Sequence, residues 1–145
     1  MPTLARRPSA KKSPQTSKGF RSGLEERIAQ ELLEAGVAFT YEDQVIEYLK
    51  PAKIARYTPD FVISEEHTST GKPIVIEGKG RFLTADRQKH LLVKKQHPEQ
   101  DIRFVFSRSK ERISKKSKTT YADWCEKHGF LYADESIPKS WLKDI

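Results

Sequence analysis

Two acids and a lysine stand out in the stretch YTPDFVISEEHTSTGKPIVIEGKGR, residues 57–81. Asp60 follows Pro59 and opens an apolar run, while Glu77 and Lys79 close a second run with only Gly78 between them. Side chains at i and i+2 of a strand leave on the same face. A strand over 73–79 therefore projects Glu77 and Lys79 side by side, and a neighbouring strand over 57–63 brings Asp60 to meet them. Two carboxylates at one strand end repel, and one stays protonated unless a cation lies between them. A divalent ion removes that difficulty: Mg²⁺ favours one or two carboxylates, waters and a phosphate oxygen. A lysine beside it can orient or deprotonate an attacking water and offset charge on a phosphorane-like transition state. The chemistry implied is phosphodiester hydrolysis. The same residues also fit a Glu–Lys pair at an exposed strand end with an aspartate in a Pro-Asp turn, and spacing alone leaves both readings open.

The flanking sequence supplies the scaffold. In FRSGLEERIAQELLEAG, Leu24, Ile28 and Leu32, with Ala29 and Leu33, recur at helical spacing. Ser22 suits the N-cap and Gly36 the stop. Ser22 and Glu25 also have the spacing of a capping box, in which the acid bonds back to the cap amide. Residues 37–51 read as two extended pieces, the second ending at Pro51. SEEHTSTGK reads as a hairpin-like turn between the strands over 57–63 and 73–79. A helix is predicted from Thr84 to Gln96, stopped by Pro98, then a buried strand over 102–107 and a loop over 108–118. TTYADWCEKHG is a capped helix ending at Gly129, FLYA a short strand, and SIPKSWLKDI a last helical turn or two. This order predicts an α/β domain built around one mixed central sheet.

The chain has 145 residues, the length of one ordinary domain, with 36% hydrophobic residues for one core. Its net charge of +7 is unevenly spread. Residues 1–21 carry six basic residues and no acid, and 108–118 (RSKERISKKSK) carries six basic residues and one acid, so the rest is mildly acidic. That pattern suits a polyanion-binding protein whose body keeps acids for another purpose. Residues 1–19, with three prolines and few large apolar groups, read as a disordered basic arm before a single unit over 20–145. The single cysteine, Cys125, excludes an intramolecular disulfide framework and suits a reducing compartment. No apolar run approaches the roughly 18–20 residues of a membrane span, and no Gly-rich phosphate loop supports a nucleotide cofactor. Arg87, His90, Leu91 and Lys94 share a helical face that can meet phosphates, although His90 can equally cap or pack. His67 reads as an exposed loop residue, His97 as structural, and His128 as an imidazolium favoured at a helix C-terminus. Tyr121, Trp124 and Cys125 read as core, and no zinc-ligand spacing is present.

Pro59-Asp60 followed by Glu77-Gly78-Lys79 resembles the PD-(D/E)xK signature of the restriction-endonuclease-like nucleases. FRSGLEER, YTPDF, EGKG, DRQKHLLVKKQHPEQDIRFVFS, YADWCEKHG and IPKSWLK, in that order, together resemble phage-type endonuclease I, a family that cleaves four-way (Holliday) DNA junctions. The resemblance covers roughly 20–142. It implies a restriction-endonuclease-like mixed sheet flanked by helices, in a segment-swapped homodimer bridged by an extended strand over about 44–52. It implies a site of Glu25, Asp60, Glu77 and Lys79, with Glu25 from the partner subunit. Asp60, Glu77 and Glu25 would bind Mg²⁺, or Mn²⁺ in its place. The expected partners are branched DNA and a second copy of the chain, with no membrane, in a phage-encoded protein acting in the bacterial host cytoplasm. The expected DNA contacts are Arg21, Arg87, His90, Lys94, Arg108, Lys110, Arg112, Lys115, Lys116 and Lys118. Two other functions fit the same residues: a non-catalytic branched-DNA binder, and a same-fold nuclease acting on duplex or mismatched DNA.

Overall fold

Ser22 starts the first helix as its sequence suggests. Its backbone is extended and its side chain accepts the amide N–H of Glu25, so helix α1 runs Gly23–Glu34, with Gly36 beyond it at φ +70°. The computed structural model describes residues 19–50 and 53–145. The expected basic arm, apart from its last residue, lies outside the described residues, as do the last two positions of the expected bridge.

Strands β1 (Thr40–Tyr41), β2 (Ile46–Lys50), β3 (Lys53–Tyr57), β4 (Phe61–Ile63) and β5 (Ile74–Lys79) follow. Helix α2 (Thr84–Gln96), strand β6 (Asp101–Phe106), helix α3 (Tyr121–His128), strand β7 (Leu131–Asp134) and helix α4 (Lys139–Leu142) complete the order. Five strands form one mixed sheet in the order β1-β4-β5-β6-β7, and β2 and β3 form a separate two-stranded ribbon. β1–β4 and β4–β5 are antiparallel; β5–β6 and β6–β7 are parallel, joined through α2 and α3. The expected mixed α/β sheet flanked by helices is the fold observed.

Alternation along the strands builds a core on each face. Val62, Val75, Ile102, Phe104 and Phe106 pack toward Val93 of α2 and Tyr121, Trp124 and Cys125 of α3. Phe61, Ile63, Ile74, Ile76 and Val105 pack on the other side toward Ile28, Ala29 and Leu32 of α1 and Trp141 of α4. α1 lies close against the sheet at Gly78, where an added Cβ would stand 3.0 Å from Ile28 Cδ1 and 3.6 Å from Glu25 Cγ. A small residue here lets the helix that carries Glu25 settle onto the strand that carries Glu77 and Lys79.

The strand expected over 57–63 is two strands. β3 ends at Tyr57 in the ribbon and β4 begins at Phe61 in the main sheet, with Pro59 and Asp60 between them. The basic, Pro-flanked sequence of β3 hid it. Residues 46–50 of the expected bridge pair with 53–57 of the same chain, Ile46 opposite Tyr57 and Lys50 opposite Lys53. The C-terminal end of α2 grips this ribbon: Gln96 bonds both the N–H and the C=O of Leu49 at 2.6 Å, and His97 meets Glu47 O at 2.6 Å.

Arg103, on β6, is 2% exposed, bonds Asp101 and Asp144, and lies over the Trp141 ring. Hydrogen bonds to charged groups typically contribute about 1.5–3 kcal/mol. Because Asp101 and Asp144 stay partly exposed, Arg103→Met is expected to lose about 1–2 kcal/mol and to loosen the C-terminal helix, read by urea unfolding and by protease sensitivity of the last ten or so residues.

Candidate active site

The antiparallel pairing of β4 with β5, Phe61 opposite Ile76, sets Asp60 beside Glu77 and Gly78. The two acids then hold each other. Asp60 N–H donates to Glu77 Oε2 at 2.7 Å, and Gly78 N–H donates to Asp60 Oδ2 at 3.0 Å. Lys79 Nζ stands 3.8 Å from Glu77 Oε1 and 3.5 Å from Asp86 Oδ1. Asp86 in turn accepts the Leu83 N–H at 3.2 Å and so caps the start of α2. Glu77 is 3% exposed.

Glu25 arrives from α1, 8% exposed. Only half of the expected capping box forms: the Ser22 side chain caps, but the Glu25 carboxylate accepts the Tyr41 hydroxyl instead. That bond turns Glu25 toward the sheet end. Among the described residues, one oxygen each of Glu25, Glu42 and Asp60 lie within 4.8 Å of one another. Glu42 was not expected. It sits just past β1 at φ +46°, its N–H donating to Asp60 O at 3.0 Å. Nothing in the residue pattern marks it, because its place depends on a left-handed backbone that glutamate rarely adopts. Glu77 stands outside that trio, with Oε2 on the Asp60 amide and Oε1 facing Lys79, so Asp60 is the member common to both halves of the site.

Burial dominates the electrostatics. It pushes the Asp60 carboxyl up to about 8, helped by the charges of Glu77 and Glu25 and opposed by the Gly78 N–H and Lys79. Burial also raises Glu77, against the pull of Lys79 and the Asp60 N–H. Carboxylates crowded this tightly, three of them with oxygens within a few ångströms, fit a hard divalent cation. Lys79 alone does not balance them.

The expected DNA contacts divide. Arg108, Lys110, Arg112, Lys115, Lys116 and Lys118 are all exposed on the loop after β6. That loop leaves the sheet at the same end as the acids, since Ser107 N–H donates to Lys79 O at 3.1 Å. Ser109 ties it down through Asp134, with which it bonds by both N–H and hydroxyl. Arg108 and Lys110 line a cleft of about 340 Å³ with Ser107, Ser109, Glu111 and Asp134. Arg21 is largely exposed, 3.7 Å from Glu42.

The helical face proposed from Arg87, His90 and Lys94 does not offer three phosphate contacts. His90 is fully buried, so it is corrected from a DNA contact to an interior residue. Lys94 donates to Gly129 O at 2.8 Å and covers the Phe130 ring, which makes it a clamp on the end of α3. Arg87 donates to Phe82 O and Thr84 Oγ1, bracing the turn before α2. His128 stands in the last turn of α3, where burial, Lys127 and Lys94 lower its pKa and work against the helix-end preference for a cation.

A mixed α/β sheet that presents Pro59-Asp60 and Glu77-Gly78-Lys79 from adjacent strands has the arrangement of the PD-(D/E)xK nucleases. A profile of the phage endonuclease I family matches residues 6–145. The chain is 44% identical over 125 residues to Endonuclease I of Escherichia phage T7, covering 86% of this chain and 79% of that protein. It is 45% identical over 127 residues to Endodeoxyribonuclease 1 of Enterobacteria phage T3, covering 88% and 79%. The protein belongs to the phage endonuclease I family. No helix among the described residues is long and apolar enough to cross a membrane.

The raised Asp60 carboxyl has a signed consequence. An acid whose folded pKa lies above its unfolded value of about 3.8 favours folding at low pH, and that contribution is lost as pH rises toward about 8. Glu77 shifts in the same direction. The metal-free protein is therefore expected to melt at progressively lower temperature from pH 5 to pH 8. Asp60→Asn should flatten that dependence, measured by scanning calorimetry in chelator.

Proposed function

We propose that this protein is a metal-dependent, structure-selective DNA endonuclease that cleaves four-way junctions and other branched DNA by phosphodiester hydrolysis. The observation that carries the reading is the convergence of Glu25, Asp60, Glu77 and Lys79 at one sheet end, beside an exposed basic loop. Family membership supports the nuclease class.

Asp60, Glu77 and Glu25, with Glu42 beside them, would hold Mg²⁺, or Mn²⁺ in its place. When bound, the ion supplies Lewis acidity toward the phosphate and the attacking water. Lys79 orients that water and stabilises negative charge on the phosphoryl oxygens. Asp86 and Glu77 fix where the Lys79 ammonium points. Water oxygen bonds to phosphorus as the bond to the 3′ oxygen breaks. The leaving oxygen takes up a proton, giving 5′-phosphate and 3′-hydroxyl ends. The basic loop and Arg21 hold flanking phosphates, and shape is read in preference to base sequence because no helix among the described residues is set out for groove reading. As a phage-encoded enzyme it would act in the host cytoplasm.

The protein would act as a homodimer, since paired cuts in a junction are related by a dyad. The β2–β3 ribbon pairs within one chain; the same register could form between two chains, and α1 would then carry Glu25 into the partner's site.

The test is a four-way junction and its matching duplex, each with Mg²⁺, Ca²⁺ or EDTA. Paired cuts in the junction alone, requiring Mg²⁺, are expected, and Lys79→Ala should lower the rate by about 10²–10³-fold. Junction binding without cleavage would leave an architectural binder; equal cutting of the duplex would remove the selectivity. Binding should weaken steeply with salt, and Lys115→Ala with Lys116→Ala should lower the log–log salt slope by about 1–2. For the exchange, Glu25→Gln and Asp60→Asn chains are refolded together. Sites shared between chains regain single-strand nicking, whereas sites built within one chain stay inactive.

A further inference from the structure

Two buried polar side chains beneath Glu77 lack a hydrogen-bond partner. His90 is fully buried, and neither ring nitrogen is bonded. Tyr57 is 2% exposed, and its hydroxyl has no partner at full hydrogen-bond length, although the Glu77 carboxylate lies close enough to bear on it. A buried polar group left unpaired costs about 1–3 kcal/mol. The surroundings of His90 are aromatic: Phe104 meets it edge to face at 4.8 Å, and Phe82 lies at 6.4 Å. Phenylalanine would fill the His90 position without that cost, so stability alone does not explain an imidazole there.

Both groups face the same carboxylate. His90 Nε2 is 3.9 Å from Glu77 Oε1. Burial and the adjacent Glu77 charge hold the Tyr57 phenol well above its ordinary range. The two rings touch edge to face at 5.1 Å. Nε2 of His90 is the ring nitrogen that faces Glu77 Oε1, and the imidazole carries an N–H donor. Glu77 has capacity to receive it, since an ionised carboxylate accepts about four hydrogen bonds and Oε2 already takes the Asp60 amide. A movement of about 1 Å brings Nε2 to hydrogen-bond length.

We infer that His90 is a positioning residue for Glu77, donating Nε2–H to Oε1 when the acid cluster holds its cation, with the Tyr57 hydroxyl as a second donor. The inference rests on the metal-dependent reading above. Donors behind a ligating carboxylate fix its orientation, and their loss typically weakens ion binding by about 10–100-fold. The face of α2 that the residue pattern assigns to DNA is thus a support for the site from inside.

The test measures Mn²⁺ affinity by calorimetric titration without DNA, and metal-free melting temperature, in His90→Phe, His90→Gln, Tyr57→Phe and Glu77→Gln. His90→Phe should melt at or above the wild-type temperature and bind Mn²⁺ about tenfold more weakly. His90→Gln, which restores a donor near Nε2, should stay within about threefold of wild type. Wild-type affinity in His90→Phe, or equal losses in the Phe and Gln variants, overturns the inference. Should the Phe variant not fold, Tyr57→Phe removes only an oxygen; a several-fold loss of affinity supports the same layer and an unchanged affinity defeats it. Glu77→Gln separates the two levels: unchanged Mn²⁺ binding there defeats the metal site itself, whereas loss there with wild-type binding in His90→Phe defeats only the role of His90.

Discussion

The site depends on a reciprocal bond between two acids. Asp60 lends its amide to Glu77, and the chain beside Glu77 lends the Gly78 amide to Asp60. Either carboxylate alone at a buried strand end would be expensive. Together they take the Asp60 and Gly78 amides, just before β4 and near the end of β5, which brings two like charges close. The result is a concentration of acids that one lysine does not balance, a set that could hold a divalent cation. Much of the surrounding architecture keeps that set together: α1 pressed onto Gly78, Tyr41 turning Glu25 inward, and Asp86 holding Lys79 while capping α2.

Charge of opposite sign is segregated but adjacent. The parallel pairing of β5 with β6 makes both strands end together, Lys79 opposite Phe106. The acids finish one strand and the basic loop begins just past the other. A polyanion drawn to the loop is thereby brought to the acids, which would repel it without their cation. In this arrangement neighbouring strands bring the basic loop and the acids to the same end of the sheet, and the anchoring of Ser109 to Asp134 keeps the start of the loop close to the site.

Sequence patterns made most of the framework legible. Helix α2 falls on the expected residues, and Asp60, Glu77 and Lys79 meet as their spacing in two paired strands implies. Long-range geometry was less legible. Glu42 depends on one left-handed residue, and β3 on a ribbon partner rather than on its own hydrophobicity. The charged face read on α2 was misleading because Lys94 spends its charge on the end of α3 and His90 faces the interior. Periodicity locates a helix and its stripes, but polar residues in a stripe leave its direction ambiguous. Ser22 and Glu25 show the same limit: the cap spacing was right, yet the carboxylate went to Tyr41, sixteen residues further on.

The central claim is that buried acids hold a proton until a cation replaces it. The most direct measurement is calorimetric titration of the DNA-free protein with Mn²⁺ at pH 7, in two buffers of different ionisation enthalpy. With the Asp60 carboxyl at about 8, binding should release about 1 proton per site, and Asp60→Asn should lower the release. Binding with no proton release, or no binding at all, would contradict the account.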